Sequence, residues 1–473
     1  MKQVQSDKKN FPFPGCIVHE NSALDEFVRA YENFFSAWRY NNTKIALNYI
    51  QGLMCCERGK ANMERMEEEI DDIEYRAYQH FITNSNWDAV GLLQQLARDV
   101  SVELNRLKAT NGLPVCLILD ESAHLKKGDK SVGVARQYAG VVGKVDNCQV
   151  GVYCSAVNDQ YATLVNQRLF LPESWTSAPS RCDEAGIPDA SRTFKSKLEL
   201  ALDMIDDLVA LNFLFDCVGG DGFYGHGTFF MRGLQKRGLF YVLDVHKDQH
   251  IFLQKPHFSV PPKKSGRGRT PTALKPDFPS IRLDAYLQTL DEADWKEEKV
   301  RKTAKGWLVL KVHKVDVWVK DSDTSEVFRQ TLLITRTTDG SNEIKYSLSN
   351  GELDAYTHQE YAYFQCQRYW VERSFQDAKG ELGFSDYQVR KWRSWQHHHV
   401  LVFMACLYLM KTRIENKENY PLLSVRDARI LIIVTMFGSE EDVQKRMQQM
   451  EKRHQKRQSD IDRRYKKSYY KKE

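Results

Sequence analysis

Three carboxylates in this chain stand where they could do metal chemistry together. Asp120 closes the apolar run VCLILD, Asp221 sits in the glycine-rich turn GGDGFYGHG, and Glu372 lies within RYWVERSFQDAKGELG. Singly, each has an ordinary explanation. An aspartate after a strand caps or turns the chain, and Arg368 with Glu372 forms an i,i+4 pair of the kind that adds about 0.2–0.5 kcal/mol to a surface helix. Brought together, the three would repel and raise one another's pKa values. Such a cluster is stable when cations occupy it, and hard oxygen ligands with open positions suit Mg²⁺. Two such ions activate a water or hydroxyl and stabilise the leaving oxygen of an in-line phosphoryl transfer. Asp216 in NFLFDCV, Asp244 in YVLDV and Glu121 beside Asp120 are acidic too. The residues alone leave the choice among them open.

Chemistry in α/β sheets gathers outside the carboxyl ends of strands, so strands must end at the aspartates and a helix must carry Glu372. VCLILD is a continuous apolar run, as expected of a central strand covered on both faces. GKVDNCQVGVYCSAV and YATLVNQRLFLP are predicted as the second and third strands, LELALDMIDDLVAL as a helix, NFLFDCV as a strand, TFFMRGLQKRG as a helix and GLFYVLDV as a strand. A meander followed by strand–helix–strand implies a mixed α/β sheet. On the Glu372 helix, Arg368 at 0° puts Glu372 at about 40° and Lys379 at about 20°. Val371, Phe375, Ala378 and Leu382 fill the neighbouring sector, so the Arg–Glu–Lys line borders the buried stripe.

The rest of the chain frames this core. Its 473 residues imply more than one domain. Hydrophobic content of 42% and charged content of 28% exclude a disordered or membrane chain. Ten cysteines without a C-x-x-C pair argue against a zinc ribbon or a disulfide framework and fit a reducing cytoplasm. The start MKQVQSDKKNFPFPG has no apolar core of a secretory signal. VLVFMACLYLM from Val400 is too short to span a bilayer. The formal charge of +5 is uneven: KKSGRGR and the terminal MEKRHQKRQSDIDRRYKKSYYKKE are cationic, which points to a polyanion partner. Helical periodicity dominates from Leu24 to about Lys108 and again after about Ala355, alternation marks KGWLVLKVHKVDVWVKD and EVFRQTLLITRTT as strands, and no internal repeat is present. The expected organisation is a helical domain over 1–110, a core begun over 111–255, a basic linker and β-rich insertion over 256–354, helices completing the core over 355–437 and a basic helical tail over 438–473.

Three blocks carry a family resemblance. They are LILDESAHLKKGDKSVGVARQYAGVVGKVDNCQVGV, GGDGFYGHGTFFMRGLQKRGLFYVLDV, and YSLSN followed by RYWVERSFQDAKGELGFSDYQVRKWRSWQHHH. Together they resemble the DDE transposases of bacterial insertion sequences, built on an RNase H-like catalytic core. The third block follows the family signature Y-x2-R-x3-E-x6-K at Arg368, Glu372 and Lys379, with Gln365 at the tyrosine position. The resemblance also extends to YQHFITNSNWD in the leading helices, and the 1–110 domain is expected to bind DNA ends. It implies that Asp120, Asp221 and Glu372 are the metal ligands and catalytic residues, with Asp221 chosen over Asp216 as the D-G-x-Y-G aspartate. Two Mg²⁺ ions are implied, with Mn²⁺ as a substitute. The implied reaction is DNA cleavage at the element ends, then strand transfer into target DNA.

The implied partners are double-stranded DNA, as terminal inverted repeats and target, and a second copy of the chain in a DNA-bound homodimer. The implied location is cytoplasmic, at the nucleoid, with no membrane. Arg368 and Lys379 would face phosphates beside the cleavage point. Lys126, Lys127 and Arg136 after Asp120 would line a DNA groove or form a solvated turn. Arg390 and Lys391, interleaved with Trp392 and Trp395, suit backbone contact with stacking, although tryptophans at helical spacing also fit a core. Consecutive histidines cannot chelate one ion from a helix, so His397, His398 and His399 are expected as polar or DNA-facing positions. Trp307 and Trp318 are candidates to stack on an extruded base. Two rival functions carry the same core: a domesticated DNA-binding protein that no longer cuts, and an RNase H-like nuclease without strand transfer.

Overall fold

The computed structural model describes residues 23–470 apart from 38–39, 71–72, 263–271, 304–305, 323 and 325, so KKSGRGR and the first 22 residues lie outside the described residues. The chain divides into two compact units, one of residues 1–96, 185–187 and 375–459, the other of residues 97–184, 188–374 and 460–473.

The first unit is built from helices near both ends of the chain. Thr43–Cys55, Met63–Glu69 and Tyr75–Thr83 come from the N-terminal side, and Trp392–Glu415 and Val425–Phe437 from the C-terminal side. Local chemistry starts them: Asn62 accepts from the amides of Glu64 and Arg65, and Ser424 and Asp427 form a reciprocal capping box. Trp392–Glu415 is buried on nearly every side, as expected of a helix at a unit's centre. This placement overturns the expectation for its three histidines, which are all buried. Nδ1 of His397 donates to the Ile82 carbonyl at 3.0 Å, His398 meets the Tyr49 hydroxyl at 2.9 Å, and His399 donates to the Trp395 carbonyl at 2.8 Å. His397 also stacks on Trp87 with ring centroids 4.0 Å apart. Each ring therefore points at protein, and Trp395 is core as well.

The second unit is organised by one mixed sheet of ten strands among the described residues. We number them β1 (Cys116–Leu125), β2 (Ala135–Ala139), β3 (Lys144–Asn158), β4 (Tyr161–Leu169), β5 (Cys217–Gly220), β6 (Tyr241–Val245), β7 (Lys296–Thr303), β8 (Gly306–Lys320), β9 (Val327–Thr337) and β10 (Ile344–Ser349). The order is β7-β8-β9-β10-β6-β5-β1-β3-β2, with β4 also paired to β3. β1, β3 and β4 form an antiparallel meander, while β5 lies parallel to β1 and β6 parallel to β5. Between β4 and β5 runs the helix Lys197–Ala210, and between β5 and β6 the helix Phe229–Lys236. The strands β7 to β10, expected as a β-rich insertion, join this same sheet, because β10 pairs antiparallel with β6.

One strand is shifted from its expected position. NFLFDCV was predicted as a strand, but β5 begins only at Cys217 and ends in the two glycines before Asp221. The preceding residues turn out of a helix through Asn212 at a positive φ of 56°. Asp216 then accepts from the Val115 amide at 2.8 Å and pairs with Lys108 at 2.5 Å, which fixes it at the entry to β1 and β5. Close packing sets the other end. A Cβ on Gly225 would lie 1.9 Å from the Asp244 carbonyl, so the turn after Asp221 can rest on β6 only with glycine there.

Burial pushes the His397 pKa down to about 4, because the charged ring has lost water. The unfolded chain therefore binds a proton that the folded unit does not between about pH 6.5 and pH 4. This contribution is fully present above that window and is lost as pH falls through it. Urea denaturation should show a loss of up to roughly 3 kcal/mol from this residue across the window, and His397→Phe should flatten that part of the slope. Equal slopes for the two proteins would contradict it.

Candidate active site

The register of the parallel strands brings the acidic residues together. The β1–β5 ladder ends at Leu119 opposite Gly220, and the β5–β6 ladder at Gly220 opposite Leu243. The next residue on each of these neighbouring strands is an aspartate: Asp120, Asp221 and Asp244. β10 continues the row, with Ser347 opposite Asp244. Residues in register project to the same face, so three carboxylates stand side by side where the parallel ladders end, Asp120 midway along β1, Asp221 just past β5 and Asp244 near the end of β6. Asp216 is at the opposite end of β5, away from this row.

Each carboxylate is fixed by a local bond. The Glu121 amide donates to Asp120 at 2.7 Å, and the Phe223 amide donates to Asp221 at 3.0 Å, which makes Asp221 the cap of the turn Gly222–Gly225. The Ser347 hydroxyl donates to Asp244 at 2.7 Å. The cation among them is Arg368. Its Nε lies 3.1 Å from Asp244 Oδ2, and one Nη lies 2.9 Å from Glu372 Oε1. The chain of contacts runs further back, since Ser347 accepts from the Gln365 amide at 2.7 Å and Gln365 accepts from Thr335. Gln365, at the tyrosine position of the signature, is thus buried and supports Asp244 through Ser347.

Electrostatics follow from this crowding. Asp120 is pushed up to about 7, first by burial and then by Asp221 and Glu121, while the Glu121 amide and Arg368 oppose the shift. Asp244 is raised by burial, against Ser347 and Arg368. Glu121, on the alternate face of β1, is raised by burial and opposed by Lys197, 3.5 Å away. It is therefore an inward, paired residue. Lys197 also lies 5.7 and 5.5 Å from the ring centroids of Phe170 and Phe223.

Glu372 sits in the first turn of the helix Tyr369–Glu381 and is half exposed, at 53%, with Arg368 one turn earlier at 25%. Val371, Phe375, Ala378 and Leu382 are all buried, so the Arg–Glu–Lys line does border the buried stripe. Lys379, two turns on, is half-buried with its ammonium 5.7 Å from the Phe375 ring. Lys126 and Arg136 both border Asn147: the Lys126 amide donates to its carbonyl, and Arg136 is its partner on β2. Lys127 and Arg136 are exposed, as are Arg390 and Lys391 in the first unit, where Lys391 precedes the helix Trp392–Glu415. Trp307 packs edge-on to Tyr465, and Trp318 has Lys255 over its ring.

The donor set suits a hard divalent cation. The neighbouring Asp221 carboxylate disfavours ionisation of Asp120, and a cation between them would reverse that penalty. Among the described residues, however, no three His, Cys, Asp or Glu side chains are gathered closely enough to hold a metal ion. Glu372 is turned to Arg368. The residues alone left Asp244 as one of several acidic candidates, and Ser347 was not among the residues singled out. The available signal was that Asp244 follows YVL as Asp120 follows LIL.

This row of carboxylates where the parallel ladders end, with Arg368 and the helix-borne Glu372 beside it, is accompanied by a family match. The family model described as DDE superfamily endonuclease matches residues 33–309, more than half of the sequence, and the chain belongs to that family. It is 24% identical over 312 residues to a probable transposase for insertion sequence element IS701 from Microchaete diplosiphon, covering 66% of this chain and 67% of that protein. The resemblance to DDE transposases of insertion sequences thus stands on about two-thirds of the sequence. A cryo-EM structure of a piggyBac transposase synaptic complex with hairpin DNA aligns with 91% of this chain and 79% of its own, at 9% identity and a TM-score of 0.38.

The two kinds of aspartate should differ in sign when neutralised. Asp120 has a folded pKa above its unfolded value, so its contribution is fully present below about pH 4 and is lost as pH rises through about 7. Asp120→Asn should therefore raise stability by roughly 1–3 kcal/mol at pH 8 in EDTA. Asp244→Asn should lower it by about 1–3 kcal/mol, since it removes one of the two carboxylates that hold Arg368, a loss that outweighs relief of Asp244's own raised pKa. Urea denaturation of both variants reads this directly, and two shifts of the same sign would refute the distinction.

Proposed function

We propose that this DDE superfamily endonuclease is a transposase that cuts DNA at the ends of its element and joins the freed ends to target DNA. The observation that carries the reading is the placement of Asp120 and Asp221 side by side where the β1–β5 ladder ends, with Glu372 borne by a helix and Arg368, just before that helix, already reaching the same carboxylate row. The meander β1–β3–β4 followed by parallel β5 and β6 supports the RNase H-like core implied by the resemblance.

Asp120 and Asp221 would hold divalent metal, and Glu372 would complete the set on leaving Arg368. Bound there, Mg²⁺ or Mn²⁺ supplies Lewis-acid activation of the attacking oxygen and stabilisation of the leaving one. The chain's own residues do the positioning. Asp244, held by Ser347 and Gln365, keeps the Arg368 guanidinium at the carboxylate row, where a phosphate oxygen could replace Glu372 as its second partner. Lys379 lies seven residues beyond Glu372 on the same helix and adds fixed positive charge. Lys126, Lys127 and Arg136 on the β1–β2 side, and Arg390 and Lys391 in the helical unit, suit contacts to the DNA backbone. A second copy of the chain would bring the other element end. No helix among the described residues is long and apolar enough to cross a membrane, and we place the work where the DNA is, at the nucleoid.

Purified protein, DNA carrying paired element ends and Mg²⁺ test this reading. Asp120→Ala, Asp221→Ala and Glu372→Ala should each abolish cleavage, losing at least about 10³-fold, while end binding persists. Arg368→Ala should weaken processing without abolishing it, and lower the salt dependence of DNA binding. Cleavage without joining would make the chain a nuclease on the same core. No cleavage of end-containing DNA by the wild type would leave the DNA-binding reading instead.

A further inference from the structure

We infer that the solvent face of the helix Glu440–Tyr470 is a track for the phosphate backbone of duplex DNA. The part considered lies wholly in the first unit, up to Ser459. Over residues 443–459 it carries six Lys and Arg against one Glu, in three doublets: Lys445-Arg446, Lys452-Arg453 and Lys456-Arg457. The doublets are spaced by seven and four residues, so each returns to the same side of the helix. With Val443 at 0°, the buried Met447 and Met450 fall at about 40° and 340°, while Lys445, Lys452 and Lys456 fall at about 200°, 180° and 220°. The lysine row is thus opposite the buried stripe, and all three lysines are exposed.

The rotation of the helix is fixed independently. Arg453 reaches Asp427 at 2.6 Å and His454 lies 3.4 Å from the same carboxylate, which the capping box at Ser424 holds in place. The Arg446–Arg453–Arg457 row flanks the lysines, and Asp427 anchors it at one point.

A merely solvated helix gains from opposite charges at i and i+4. Glu441 and Asp442 do stand four residues before Lys445 and Arg446, but the two following doublets do the reverse. Lys452 with Lys456 and Arg453 with Arg457 are like-charge i,i+4 pairs, each costing the free helix about 0.2–0.5 kcal/mol. A polyanion lying along the face would relieve both. From Lys445 to Lys456 the row is about 17 Å long, and duplex DNA presents one charge per about 1.7 Å of its axis, so the row faces several phosphates at once. The row presents only cationic donors on an exposed face, which match phosphate oxygens, and the contact inferred is to the backbone without dependence on sequence. The inference borrows only the identity of the polyanion from the proposed function.

The test is binding of the full chain to a fluorescent duplex of arbitrary sequence in EDTA, followed from roughly 50 to 200 mM salt. The triple variant Lys445→Gln, Lys452→Gln, Lys456→Gln keeps good helix formers at exposed positions. It should lower the salt slope by about 2–3 and weaken binding on the order of tenfold or more. The corresponding Lys→Arg triple should keep both. An unchanged slope in the Gln variant would overturn the track, as would loss of binding to phosphatidylserine vesicles with DNA binding intact. Because no cleavage is measured, a protein that never cuts but loses the slope supports the track while removing the transposase reading.

Discussion

Repulsion among carboxylates where the pairing of neighbouring parallel strands ends is the constraint on which the second unit turns. Asp120, Asp221 and Asp244 follow one another across β1, β5 and β6 because the ladders end in register at Leu119, Gly220 and Leu243. A sheet that placed three such groups together without a cation would be penalised by desolvation and by like charge. Arg368 is the resident answer, with Asp244 and Glu372 as its partners and Asp120 and Asp221 within its field. The surrounding structure can be understood as holding that guanidinium: Thr335, Gln365 and Ser347 form a buried line of hydrogen bonds ending on Asp244.

The division of labour among the aspartates follows from the same geometry. Asp244 has an arginine and a hydroxyl, so it is structurally satisfied. Asp120 has one backbone amide and an unfavourable neighbour, and it is strained electrostatically in the absence of a ligand. Function lives where the native state is locally least satisfied. The salt bridge between Arg368 and Glu372 is then not the surface ornament that its i,i+4 spacing suggests. It keeps Glu372 beside the carboxylate row while Arg368 neutralises that row.

Much of this was legible in the sequence for a simple reason. Apolar runs such as VCLILD and QVGVYCSAV have few ways to be buried except as central strands, and β1 and β3 fall where they were expected. The Arg368–Glu372–Lys379 line could be placed at the edge of the buried stripe from periodicity alone. What stayed hidden depends on register or on burial by distant residues. Asp244 looked like any acidic residue on a strand, because only pairing across β5, β6 and β10 shows its place. NFLFD resembled a strand by composition, yet Asp216 is held by Lys108 and the Val115 amide before β5 begins. The three histidines looked polar, but Ile82, Tyr49 and Trp87 in distant segments give them partners inside the helical unit.

The most direct test of the account is divalent-ion binding itself, read by Mn²⁺ titration with water proton relaxation. Binding should be present in the wild type, lost in Asp221→Asn and unchanged in Asp216→Asn, which differ only in which end of β5 they neutralise. Full Mn²⁺ binding by Asp221→Asn, or its loss in Asp216→Asn, would contradict the claim that the registered strand ends form the metal site.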